Sequence, residues 1–169
     1  MRTRQWRWAG LAAAAAFWPA FAGTAEIGNY SLVTADRLAN PEPGNWMLYR
    51  RTYDGQGFSP LDKINTTNVK NLEPAWTFST GVNEGHEAPP IVNNGVMFVA
   101  TPGNQLLAID AKAGNLLWRF KRPIPEDMLL LHPTSRGVGL LGDKVYFAAA
   151  DAVLIASTPR PAMRCGKRR

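Results

Sequence analysis

Cysteine is nearly absent from this chain: of its 169 residues only Cys165 carries a thiol, close to the C-terminus. Disulfide frameworks and thiolate metal sites need more than one, so neither can be built. Histidine is almost as scarce. His86 and His132 are the only two, and neither has a second histidine or a carboxylate at the spacing of a metal site. Long apolar runs are missing too. The stretch that comes closest, Ala9 to Phe21, is interrupted by Pro19 and falls short of the ~20 residues that a bilayer span needs. There is also no basic stripe. The formal charge is +6, but eight of the cations sit at the two ends, Arg2, Arg4 and Arg7, then Arg160, Arg164, Lys167, Arg168 and Arg169. The remainder carries eleven basic against thirteen acidic residues, a net of −2, which speaks against a nucleic-acid partner.

What the N-terminus does have is the layout of a secretory signal over residues 1–25. Arg2, Arg4 and Arg7 form a charged region, Ala9 to Phe21 an apolar one, and Ala20-Phe21-Ala22 or Gly23-Thr24-Ala25 a small-residue cleavage site. Thr3 separates Arg2 from Arg4, so the twin-arginine pattern is not met. The expected destination is outside the cytoplasm, with no membrane span after cleavage; an uncleaved anchor is the alternative.

The most informative phrase is Ala108-Ile109-Asp110-Ala111-Lys112-Ala113-Gly114-Asn115-Leu116-Leu117-Trp118. Its skeleton is A-x-D-x-x-x-G-x-x-x-W. A strand-like run, Gln105 to Ile109, leads into it, and Asp110 and Gly114 fall where a tight turn belongs. Asp can bond back to its own backbone, and Gly accepts positive φ. The chain then returns as Asn115 to Trp118. A large flat side chain with one N–H suits the seam between neighbouring sheets, and a seam implies repeats.

A second copy is partly present. Val96 to Ala100 precedes Leu106-Leu107-Ala108, and Val145 to Ala149 precedes Leu154-Ile155-Ala156, an offset of roughly 48 residues that matches four-stranded propeller blades. Gly95 and Gly142-Asp143 sit at the expected hairpin turns. After Ala156 the pattern breaks. Read one base earlier from the third base of that codon, the codon boxes of residues 157–166 permit L-D-A-x-T-G-N-A-V-W, which restores the skeleton. Residues 157–169 are therefore expected to be a frameshifted tail; a disordered basic tail is the alternative. Residues 26–156 make the folded part, about two and a half blades where complete propellers use four to eight.

Between the repeats, residues 26–60 are rich in turn formers, with Trp46, Tyr49 and Tyr53 as expected covers of a sheet edge. Leu61 to Leu72 is a connecting segment with Asn and Thr caps. Pro74 to Thr80 is expected as a strand, with Trp76 a second seam residue. Pro89-Pro90 ahead of Ile91 places Glu87 at a strand entry, on the mouth rather than in a ladder. His86 is a loop donor. Arg119 to Met128 forms an excursion, and Arg136 falls beside the strand start Val138. An arginine there can fork onto a carboxylate or carbonyl pair; a structural ion pair is the equal alternative.

Taken in order, these residues resemble the N-terminal part of the PQQ (pyrroloquinoline quinone)-dependent methanol/ethanol-type alcohol dehydrogenases. The resemblance covers about residues 30–156. It rests on Asn45-Trp46, Phe58-Ser59-Pro60-Leu61, Ile64 to Val69, Ala75-Trp76, Gly85 to Pro90, the phrase ending at Trp118, Arg136-Gly137-Val138 and Gly142 to Tyr146. It implies an all-β fold, a fragment of an eight-bladed propeller with tryptophan-docking repeats, and the cofactor on the propeller axis. It implies that Glu87 and Arg136 contact PQQ, that a calcium or lanthanide ion and an Asp base lie in later blades, and that none of the present carboxylates is catalytic or a metal ligand. It further implies a periplasmic location, primary alcohols as substrates, aldehydes as products, and a cytochrome c-type electron acceptor. Many relatives carry adjacent cysteines where Leu130-Leu131 stand here. On this reading the 169 residues are inactive alone. The competing reading is a non-catalytic periplasmic propeller serving as scaffold or binding module, for which a Glu87 and Arg136 pair at the mouth has no use.

Overall fold

The computed structural model describes residue 27 and residues 30–132 and 134–159. The expected signal segment and most of the expected tail lie outside these. A five-residue helix, α1 (Ala35–Ala39), and a single 3₁₀ turn (Val69–Asn71) are the only helical elements described. Everything else regular is strand: β1 (Ile91–Asn93), β2 (Val96–Thr101), β3 (Gln105–Asp110), β4 (Leu116–Lys121), β5 (Val138–Leu141), β6 (Lys144–Ala148) and β7 (Leu154–Ser157). They form two antiparallel meanders, β1-β2-β3-β4 and β5-β6-β7.

The turns follow from their residues. Asn93 pairs with Val96 across the two-residue loop Asn94-Gly95, whose φ values of 50° and 79° are those an Asn-Gly hairpin favours. After β3, the Asp110 carboxylate accepts from the N–H of Lys112 at 2.8 Å and of Ala113 at 3.1 Å. The chain can then reverse at Gly114, with φ of 74°. A bulge between Ala108 and Ile109 sets Trp118 opposite Ala108, which places its ring in the interior.

The seam expectation is met twice. Trp118 is buried and its Nε1–H donates to the Pro159 carbonyl at 2.6 Å. Trp76 donates to the Ala111 carbonyl at 3.1 Å and lies flat on Gly114, so close that a Cβ there would stand 2.6 Å from the ring. Ala111 and Pro159 are one repeat, 48 positions, apart. Phe98 and Phe147 hold matching places on β2 and β6, and both are fully buried. The core gathers around them with Leu106, Val145, Ile155 and Trp118; the rings of Phe98 and Trp118 are 6.1 Å apart.

The N-terminal segment closes over this core. Thr34 caps α1, Val33 bridges to Gly142, and Trp46 bridges to Val92 on the edge of β1. Arg37 ties the segment down. Its guanidinium donates to both Glu42 carboxylate oxygens, to the Leu32 carbonyl and to Asn93 Oδ1. That arrangement holds the Glu42 carboxyl down at about 2, through the Arg37 hydrogen bonds first and that from Asn45 second.

Several expectations need correction. Pro74 to Thr80 is not a strand: no described strand lies beside it to complete a ladder, and Trp76 anchors it instead. Arg119 to Lys121 belong to β4, so the excursion starts at Arg122. Of the three aromatics expected over the sheet edge, Trp46 bridges to Val92 on β1 and Tyr49 stands beside Ile91 of β1, while Tyr53 is exposed. The second sheet shows three strands among the described residues, and β7 runs through Ser157, one residue beyond the expected break. Pro159 is buried as well.

Candidate functional site

Because strands alternate direction, each sheet has two ends. The start of β1, the Pro102-Gly103-Asn104 turn, the start of β5 and the turn after β6 share one end, the mouth. The Asn94-Gly95, Ala111 to Gly114 and Gly142-Asp143 turns share the other. Glu87 stands four residues before β1, and Arg136 two residues before β5, both at the mouth.

The fold brings these two together. Arg136 Nη1 is 3.0 Å from Glu87 Oε2, with 79% and 43% of the two side chains exposed. The backbone explains the meeting. Gly137, at φ of 116°, lies against Ala88 and Pro89, where an added Cβ would be in ordinary contact at 3.9 and 3.8 Å. The loop before β5 is therefore laid on the loop before β1. Arg136 stands between two cavities. One, of about 250 Å³, is lined by Tyr49, Pro89, Ile91, Gly137 and Val138. The other, of about 240 Å³, lies under the excursion and includes Leu130, Ser135 and Asn104. Leu130 is half-buried on that wall, while Leu131 is exposed.

The remaining candidates have structural partners. His86 meets Thr80 Oγ1 at 3.0 Å and the Glu84 carbonyl at 2.8 Å, which makes it a loop latch as expected. His132 is exposed. Asp110 serves its turn. Asp151 receives both Nε and Nη2 of Arg122, and that guanidinium holds its carboxyl below the usual carboxylate range. Among the described residues no three His, Cys, Asp or Glu gather as a metal site would need, and no helix is long and apolar enough to cross a membrane.

Asn104 was not singled out by its sequence. Its Oδ1 accepts from Ala150 N–H in the second sheet at 2.7 Å, and its own carbonyl accepts from Arg122 N–H at 2.9 Å. It thus fixes both the start of the excursion and the neighbouring sheet. The only local signal is the turn-forming run Pro102-Gly103-Asn104.

Meanders of one design, joined by docked tryptophans, define consecutive blades of a β-propeller. Comparison with known proteins gives the family. The sequence profile described as glucose/ethanol/alcohol dehydrogenase, beta-propeller domain (PQQ), matches residues 46–165. The dehydrogenase subunit of the quinone alcohol dehydrogenase of Gluconacetobacter polyoxogenes is 42% identical over 121 residues, which cover 70% of this chain and 16% of that protein. Among solved structures, the quinohemoprotein alcohol dehydrogenase ADHIIG of Pseudomonas putida HK5 superposes with a TM-score of 0.72 at 33% identity, over 83% of this chain and 22% of that one. A europium-containing methanol dehydrogenase superposes with a TM-score of 0.69 at 28% identity, over 79% of this chain and 25% of that one. The chain belongs to the family of PQQ-dependent quinoprotein alcohol dehydrogenases. It spans only 16% of the length of the curated relative and 22% of the first structure.

Proposed function

We propose that this chain forms one wall of the cofactor site of a periplasmic PQQ-dependent alcohol dehydrogenase, with Glu87 and Arg136 as the residues that contact PQQ. The observation that carries the reading is their meeting. They are separated by 49 positions in sequence, yet they lie 3.0 Å apart at the mouth end of adjacent sheets.

The residues fit the group. PQQ is a flat tricarboxylate, so one edge of it needs a cation with several directed donors. The Arg136 guanidinium supplies these and is exposed enough to be reached. Glu87 engages one end of the guanidinium and so limits its orientation, leaving other N–H groups to receive a carboxylate. In water such a pair contributes under about 1 kcal/mol; covered by a planar ligand and further blades, its fixed charges act at lower dielectric and count for more. When bound, PQQ supplies the two-electron acceptor that turns a primary alcohol into an aldehyde. On this reading the chain's own part is to bind and orient the cofactor edge and to keep water from that side. The calcium or lanthanide ion, the proton-accepting Asp and the face for a cytochrome c-type acceptor are contributions of later blades, and no residue here is assigned to them. By themselves the 169 residues leave most of the cofactor facing water and provide no base.

Two measurements test this. Arg136→Ala is expected to weaken PQQ retention about 30-fold where the remaining blades close the site, the loss of about 2 kcal/mol that follows removal of one partner from a desolvated charge pair. Equilibrium dialysis at limiting PQQ reads this directly, and full occupancy in the variant would overturn the assignment. The 169-residue chain, supplied with PQQ, calcium and ethanol, is expected to reduce no dye; measurable PQQ-dependent turnover would overturn the claim that it is inactive alone.

A further inference from the structure

Among the described residues the second sheet lacks a fourth strand, and one segment of the chain is a fourth strand without a sheet. In the first sheet β4 pairs with β3 and closes that edge, with Trp118 opposite Ala108 and Phe120 opposite Leu106. In the second, β7 pairs with β6 on one side, and no described strand lies on the other. Burial follows the pairing. Leu106 is 1% exposed, whereas Leu154, one repeat later, is 58% exposed. The positions one repeat after β4 hold Arg164, Cys165, Gly166, Lys167, Arg168 and Arg169, without a β-branched or aromatic side chain.

Pro74 to Thr80 is the complement. Trp76-Thr77-Phe78 repeats the spacing of Trp118-Arg119-Phe120. Trp76 and Phe78 are half-buried while Thr77 and Ser79 are exposed, the period-two alternation of a strand. Trp76 docks on the Ala111 carbonyl as Trp118 docks on that of Pro159. The segment is therefore already held where the fourth strand of a blade ahead of the first sheet belongs. Its indole anchor is made, but from Ala75 to Ser79 no backbone N–H or C=O is paired among the described residues. Unpaired main-chain groups on such a segment, and on an open sheet edge, are templates for pairing.

We propose that the chain associates head to tail with copies of itself, Pro74 to Thr80 of one copy adding a fourth strand to β7 of another. The register of the first sheet carries over. Trp76 of the donor falls opposite Ala156 of the acceptor, and Phe78 opposite Leu154, which it covers. Because Trp76 stays on its own Ala111, the donor's first sheet follows the acceptor's second as the next blade. The donated and accepting surfaces differ, so the contact is heterologous and either closes a ring or runs on as an open chain. With two sheets from each copy, rings of about two to four copies match the roughly four to eight blades of complete propellers. The proposal rests on the repeat and not on the cofactor reading; neither Phe78 nor Leu154 lines the cavities beside Arg136.

The test uses the whole 169-residue chain. Sedimentation velocity from about 1 to about 100 μM is expected to show species at multiples of 18.6 kDa, and hydrogen exchange at residues 75–79 is expected to slow as they form. Leu154→Lys blocks the accepting edge, and Phe78→Lys blocks the donated strand. Each is expected to weaken association more than about tenfold, because the lysine ammonium loses water against an apolar partner. Mixed in equal amounts, the two variants are expected to recover a discrete complex of two chains. Leu154 of one then meets Phe78 of the other, while the two free ends would set Lys against Lys and do not join. That rescue also shows that both variants are folded. A monomer at every concentration, undiminished association in both variants, or a mixture that stays monomeric would each overturn the proposal.

Discussion

In the first sheet, the turn after β3 carries Asp110, which caps two backbone N–H groups, and Gly114, on which Trp76 lies flat. In the second sheet the positions one repeat later hold Thr158 in place of Asp110 and Pro159 in place of Ala111. Docking nevertheless persists there. The Pro159 carbonyl takes the Trp118 N–H as the Ala111 carbonyl takes that of Trp76. The hydrogen-bonding half of the seam is thus a backbone property that tolerates a change of residue. The capping and stacking half depends on side-chain identity.

The most far-reaching way to sharpen this comparison lies in the nucleotide sequence. If Thr158 and Pro159 stand where a second Asp-Ala belongs, the frame one base earlier from codon 156 should stay open and carry further copies of the tryptophan phrase. An early stop without such a phrase would set the tail reading aside.

Next in size is the core. Phe98→Ala and Phe147→Ala should each cost about 3–5 kcal/mol. If the sheets are one cooperative unit, each variant should show a single, similarly lowered transition in denaturant; two separate transitions would break the equivalence. A smaller effect separates the two glycine turns. Gly114→Ala drives a Cβ into Trp76 at a positive φ and should cost about 3 kcal/mol, overpacking and left-handed strain together. Gly142→Ala has the same strain but open space around it, so about 1 kcal/mol is expected. Equal losses in thermal unfolding would deny that stacking distinguishes the turns.

The smallest effect concerns pH. The Glu42 carboxyl, at about 2 in the folded chain, lies below its unfolded value of about 4.3. Its contribution is therefore present above that unfolded value and is lost as pH falls through about 2. Since Glu42 is half-exposed, under about 1 kcal/mol is involved. The protection of Trp46 N–H against hydrogen exchange, taken relative to the intrinsic rate at each pH, should fall across that window, and Arg37→Gln should flatten the response.

Local chemistry made much of the fold legible. The Asn94-Gly95 hairpin, the Asp110 to Gly114 turn and the burial of Trp118 all follow from residues within a few positions of each other. Pro74 to Thr80 was misread as a strand because a strand is a pairing, and composition carries no partner. Glu87 and Arg136 could be placed at a mouth by the prolines and by Val138, but the cofactor contact proposed for them rests on family resemblance; the ion pair itself needed two loops laid together by Gly137. Asn104 and Arg37 escaped notice for the same reason. Their partners Ala150 and Asn93 lie 46 and 56 positions away, and nothing in the flanking residues announces such contacts.

The link between the sheets through Asn104 and Ala150 lies at the mouth, whereas Trp118 reaches Pro159 beyond the far end of β7. Neighbouring blades are therefore pinned at two points separated by a strand's length. One pin would leave a hinge about which a blade could swing, and the angular step around the ring could drift. Two pins, both ending on backbone groups of the next blade, fix that step blade by blade. The dihedral pitch of the ring is then a local quantity, already set between the first two sheets before any closing strand is in place.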